Sequence, residues 1–236
     1  MFRTRLNFKK TGRDEAEKPF WISFSDLMTA LMVLFLVVMG VALLAVTKNV
    51  TDREKKEAQH SKDIDDLLER FNQESKLFDG IKVDKDRRVI DFGDRARFGF
   101  AKSTLSKDQE GILRQFVPHI ISLANDELGK RVLKRIVVEG YTDRTGTYLA
   151  NLNLSLQRSQ RVLCAMFATE GNNLLTNEEK ENVRSLFFVG GYSFNAAKAT
   201  DEESRRVEMR LEFLGIDEKR PFAPLGLGDF GECAIQ

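Results

Sequence analysis

Two hydropathy patterns divide the chain. From Phe20 to Val46 the positions are almost continuously apolar, and the run holds a single charged side chain, Asp26. As a helix it would extend about 40 Å at 1.5 Å per residue, enough to cross a hydrocarbon core of roughly 30 Å with some tilt. The run is too long for the apolar core of a cleavable signal, and no small-residue cleavage site closes it before Thr47. From Thr47 to about Phe78 the pattern becomes one of charged helix formers without Pro or Gly. Ile64, Leu67, Leu68, Phe71 and Phe78 trace a partial heptad stripe there, which reads either as a linker where two copies pair or as a solvated single helix.

Beyond Gly80 the periods alternate. A short strand is expected around Arg88 to Phe92, a helix from Ser106, a strand from Leu133 to Glu139, and a second helix from Tyr148 to Ala168. Ser106 followed three residues later by Gln109 forms a capping box; Ile112, Leu113, Phe116, Ile120 and Leu123 give the helix a core face, and Pro118 marks a kink. A third strand is expected near Leu186 to Gly190, where Gly190 and Gly191 serve the backbone. In the fourth, Val207, Met209, Leu211 and Phe213 alternate with Arg206, Glu208, Arg210 and Glu212, one face core and the other wet. The class is α+β, with helices on one side of a small mixed sheet in βαβαββ order. The expected divisions are a tail over 1–19, a transmembrane helix over 20–46, a helical linker over 47–80, the α+β domain over 81–215 and an irregular tail over 216–236. That last tail carries Pro221, Pro224, Gly226, Gly228 and Gly231.

Composition narrows the chemistry. Among 236 residues, 37 basic and 36 acidic side chains leave a formal charge of +1, so no global electrostatic case for nucleic-acid binding exists. Two cysteines without CxxC spacing and two histidines, His60 and His119, make no recognisable metal, nucleophile or cofactor set, and an enzyme is not expected. A Cys164–Cys233 bridge is permitted if the domain is exported, and the sequence leaves open whether the two Cα atoms come close enough.

The apolar helix has its own candidate chemistry. Trp21, behind Pro19 and Phe20, fits an interfacial anchor, placing Asp26 about 7 to 8 Å deeper. An ionised acid there costs about 2.5 to 3.5 kcal/mol, so it is protonated, partnered or facing a wet cavity. Ser23 and Thr29 set hydroxyls on the same face, with Ala30 and Val33 keeping that face slim for packing. A carboxylate moved between dry and wet surroundings binds and releases a proton, turning ion flow into work. One helix cannot form such a pathway and needs a multi-helix partner. Arg3, Arg5, Lys9, Lys10, Arg13 and Lys18 outweigh Lys48, Arg53, Lys55, Lys56 and Lys62 only slightly, favouring a cytoplasmic N-terminus.

The segment PFWISFSDLMTALMVLFLVVM resembles the B subunits of rotary stator motors, the MotB family of flagella, and among these is most similar to the B subunits of the Zorya anti-phage defence systems. The resemblance implies that Asp26 carries the ion in a B-subunit homodimer enclosed by a ring of polytopic A subunits; a lone acid fits a proton, whereas sodium would need extra oxygen ligands from a partner. Further on, GYTDRTGTYLANLNLSLQRSQRV and SRRVEMRLEF resemble the OmpA-like peptidoglycan-binding domain, over roughly Val89 to Phe213. It implies an inner-membrane protein with its domain in the periplasm and a stem-peptide pocket made by Thr142, Asp143, Asn151, Leu154 and Arg158. A diamino acid shows both ammonium and carboxylate, so Asp143 would take the first and Arg158 the second. Gly146 and Ser155 also match that pattern, whereas Ser204 stands before Arg205 and Arg206 where the family has Asn. Three other readings are a flagellar stator subunit, a passive peptidoglycan tether in which Asp26 only orients the helix, and a fold-holding Asp143–Arg158 ion pair.

Overall fold

The computed structural model describes residues 17–220 and 230–233. The basic N-terminal flank through Arg13 and most of the Pro- and Gly-bearing tail lie outside the described residues. The chain divides into two compact units, Met1–Lys56 and Glu57–Gln236.

In the first unit the chain is helical from Glu17 in α1, which runs to Ser75. Every large apolar side chain from Leu27 to Val46 is exposed, the surface expected of a segment that lipid or a partner covers. Among the described residues, one helix, near the N-terminus, is long and apolar enough to span a membrane.

The second unit opens with the last turns of α1, where Ile64, Leu67, Leu68 and Phe71 are all buried. The stripe that reads as a pairing seam is therefore part of this unit's own core, with Phe78 packed against it. Polar contacts fix its position: Arg131 donates to Asp63 at 2.8 Å, Arg70 to Asp126 at 2.7 Å, His60 meets the Leu214 carbonyl at 2.9 Å and His119 meets Glu74 at 2.7 Å. Neither an open coiled-coil seam nor a wholly solvated helix is consistent with that burial.

After α1 come β1 (Lys82–Asp84), β2 (Val89–Asp91), a short 3-10 turn, α2 (Lys107–Asn125), α3 (Glu127–Val132), β3 (Leu133–Gly140), α4 (Tyr148–Phe167), α5 (Asn177–Leu186), β4 (Phe187–Gly191), α6 (Asp201–Ser204) and β5 (Val207–Phe213). The sheet order is β1-β2-β5-β3-β4, parallel between β3 and β4 and antiparallel elsewhere. The α+β class stands, with a hairpin strand and three short helices beyond the expected order. Ser106 and Gln109 form the full capping box of α2, and Pro118 lies inside an unbroken helix. The short α5 carries its own capping box, Thr176 with Glu179.

The outer face of the sheet departs from the expected wet surface. Glu208 and Glu139 are fully buried, and the register sets Asp91, Glu208 and Glu139 in one row across β2, β5 and β3. Like charges placed side by side repel. Cations resolve the conflict: Arg206 reaches Glu208 at 2.7 Å and Arg87 reaches it at 2.6 Å, Arg210 grips Glu139 through two nitrogens, and Lys198 meets Asp91 at 2.7 Å. The long stems of these side chains cover the acids that they neutralise.

Candidate functional site at the end of strand β3

The residues expected to bind a ligand converge where β3 ends and α4 begins. Two glycines make this possible. A Cβ on Gly140 would lie 1.8 Å from the Ser155 carbonyl oxygen, and one on Gly191 would lie 2.8 Å from Ser155 Oγ. These glycines are cross-strand partners on β3 and β4, so α4 rests directly on bare backbone at Ser155. The Ser155 hydroxyl completes the joint, donating to the Leu152 carbonyl at 2.8 Å and accepting the Ser193 N–H at 3.0 Å.

The loop between them is held by its own side chains. Asp143 Oδ1 accepts the Thr145 N–H at 3.0 Å, and Asn151 donates from the first turns of α4 to the Thr145 carbonyl at 2.9 Å. Gly146 takes the left-handed φ of +100° that the turn requires. Thr142 is buried, its hydroxyl oxygen without a hydrogen-bond partner, and Leu154 is half-buried on α4.

Arg158 stands differently from its expected role as a ligand clasp. It is wholly buried, and its three nitrogens donate to the backbone carbonyls of Tyr141 at 2.6 Å, Lys102 at 2.9 Å and Gly99 at 3.2 Å. The guanidinium also lies over the Phe98 ring, 5.1 Å from its centre. Burial lowers its pKa to about 10, with Asp143 opposing the shift and Arg205 adding to it. Nor does Arg158 form the fold-holding pair with Asp143, because Arg205 does so, with Nη1 3.1 Å from Asp143 Oδ2. Sequence reading missed that partner, although Arg205 sits in the quoted SRRVE segment. Ser204, in place of the family's Asn, braces its own turn: its hydroxyl donates to the Thr200 carbonyl at 2.8 Å and accepts the Lys198 N–H at 2.9 Å.

Cys164 on α4 and Cys233 in the tail are joined by a disulfide, their Cα atoms 5.6 Å apart. In the first unit, Asp26, Ser23 and Thr29 are exposed on α1, and the Thr29 hydroxyl donates to the Ser25 carbonyl at 2.6 Å. With that proton committed, the Thr29 oxygen is left as an acceptor toward Asp26's face.

These features define a class of protein in which a helix able to cross a membrane, apolar but for a single acid, leads into an α+β domain with a cluster of buried polar side chains at a strand end. No family model matches the chain. Its sequence is 43% identical over 223 residues to the Zorya protein ZorB of Escherichia coli O139:H28, covering 93% of this chain and 91% of that protein. The chain belongs to the ZorB family. Among solved structures it is similar to the OmpA-like domain of FopA1 from Francisella tularensis, with 21% identity, 54% of this chain and 75% of that one covered, and a TM-score of 0.36. It is also similar to the periplasmic domain of Helicobacter pylori MotB, with 16% identity, 52% and 81% covered, and a TM-score of 0.38.

Proposed function

We propose that this chain is the B subunit of a proton-driven rotary motor in the inner membrane, anchored to peptidoglycan and acting in defence against phage. The observation that carries the proposal is the placement of one acid, Asp26, in an otherwise apolar run of a ZorB-family chain. An acid that costs several kcal/mol in lipid persists where it works. Two copies of α1 inside a ring of polytopic A subunits would bring Asp26 alternately to a dry and a wet surface. Ser23 and Thr29 would line that path, Thr29 as acceptor for the protonated carboxyl.

The N-terminal tail lies in the cytoplasm and the domain in the periplasm, a placement supported by the Cys164–Cys233 bridge, which an oxidising compartment maintains. There the domain holds the stem peptide of peptidoglycan at the end of β3, with Asp143 receiving an ammonium and Thr142, Asn151 and Leu154 shaping the pocket. Anchoring makes one part of the motor stationary, so that ion flow produces torque rather than free spinning.

The deciding experiment is phage protection by the complete operon carrying Asp26→Asn, with membrane levels of both subunits measured. Protection is expected to vanish while assembly persists. Unchanged protection would reduce the chain to a passive tether.

A further inference from the structure

The last two turns of α4 and the tail residues 230–233 border a cavity of about 600 Å³, within the range of roughly 300–1,000 Å³ that small-molecule sites occupy. It lies apart from the end of β3, since Cys164 follows Asn151 by 13 residues, about 20 Å along a helix. The Cys164–Cys233 disulfide and the contact of the Phe167 and Phe230 rings, 5.0 Å between centres, hold the tail as one wall. Arg161 lines this cavity and forms no hydrogen bond or ion pair among the described residues; its Nε and Nη2 are shielded from water without a partner. Nearby Arg114 is the contrast: 4% exposed, it donates Nε to the Asn172 carbonyl at 2.8 Å and Nη1 to the Ala165 carbonyl at 3.3 Å. Buried polar atoms are bonded with few exceptions, so an unpaired guanidinium edge at a cavity wall points to a ligand that completes it.

The other side chains of the wall define the ligand's chemistry. Glu110, Glu170 and Glu232 line the same cavity, and among them Glu110 stands 3.6 Å from Arg114. An anion alone would face three carboxylates, and a cation alone would leave Arg161 unpaired; a zwitterion serves both signs. Leu163, Phe167 and Phe230 supply apolar surface beside them. We propose that this cavity binds a free α-amino acid with an apolar or aromatic side chain: its carboxylate pairs with Arg161, its ammonium with the glutamates, and its side chain packs on Phe167 and Phe230. The Nε–Nη2 edge is a fork that suits two carboxylate oxygens, and the half-buried stem of Arg161 lets a rotamer change turn that edge toward the ligand. Because the tail forms one wall, ligand binding is linked to the intact disulfide.

The test is calorimetric titration of the full, oxidised chain in detergent with L-phenylalanine, its amide and N-acetyl-L-phenylalanine. The free amino acid is expected to bind about tenfold tighter than either derivative, since each lacks one charge-assisted contact. Arg161→Gln should erase the preference over the amide at an unchanged unfolding temperature, because no partner within the protein is lost, and Arg161→Lys should restore part of it. A reductant, which frees the tail wall, should abolish measurable binding. No binding by the wild-type chain at millimolar phenylalanine, equal affinity for the amide, or a preference that survives Arg161→Gln would overturn the assignment. Tighter binding of N-acetyl-L-phenylalanine would assign the cavity to a peptide C-terminus and overturn the free amino acid. Binding that the reductant leaves unchanged would place the ligand elsewhere on the chain and overturn the site. Should Arg161→Gln not fold, the amide comparison and the reductant on the wild-type chain decide.

Discussion

At the scale of single residues, the joint between α4 and the sheet depends on what is missing as much as on what is present. Gly140 has no side chain because the Ser155 carbonyl occupies the space where one would be. Gly140→Ala must push α4 away from the sheet or distort the strand, and overpacking of this kind costs about 3 kcal/mol. Urea unfolding should show that loss, and weakened sacculus binding should accompany it, since α4 carries Asn151 and Arg158. Arg158 illustrates how a motif residue can be legible while its role is not. Its spacing from Asp143 is plain in the sequence, yet the three carbonyls that claim it come from Gly99 and Lys102 on one segment and Tyr141 on another.

At the scale of elements, the amphipathic stripe at the end of α1 and the acid row on the sheet each resolve a conflict. Leu67 is completely buried against the domain, so Leu67→Ala should cost about 2–4 kcal/mol in unfolding free energy. The loss should be independent of protein concentration, whereas a seam between two copies would make it concentration-dependent. The acid row predicts a pH response. Burial alone would raise the carboxyl of Asp91, but the Lys198 ammonium and the Gly93 N–H hold it below the usual carboxylate range. A depressed folded pKa stabilises above the unfolded value near 4 and loses that stabilisation as pH falls through the folded value. The urea midpoint should therefore hold between about pH 5 and 7 and drop below about pH 4, with a shallower drop in Asp91→Asn. In the same row Tyr141 donates to Glu139 at 2.6 Å, and burial together with that carboxylate pushes its phenol well above the usual range.

At the scale of the whole molecule, the two units carry different halves of the proposed work: one holds the acid proposed to move a proton, the other the domain proposed to grip the wall. The second unit also secures its own tail. Arg220 donates to the carbonyls of Leu133, Ala124 and Gly129, and the disulfide fixes Cys233 to α4 at a sequence separation of 69. Closing so long a loop removes much chain entropy from the unfolded state, so Cys164→Ser should lower stability by about 2–4 kcal/mol. Calorimetry with and without a reductant checks this, and the variant should be indifferent to the reductant.

What the sequence by itself determined is local and periodic. The lone acid in an apolar run, the capping box of α2, the alternation of β5 and the TD…LSxxR spacing all follow from neighbours within a few turns or one strand-loop-helix unit. Tertiary structure alone decided which of those residues face water. Glu208 alternates like a solvent residue but is buried because Arg87, from 121 residues away, and Lys198 join its near neighbour Arg206 in covering it. The stripe at the end of α1 reads as a partner-seeking face, yet it becomes core because the sheet domain supplies the apolar surface. The cation beside Asp143 is likewise set by the fold, which brings Arg205, at the end of α6, from 62 residues away. Periodicity specifies the face of an element; only the assembled fold specifies what that face meets.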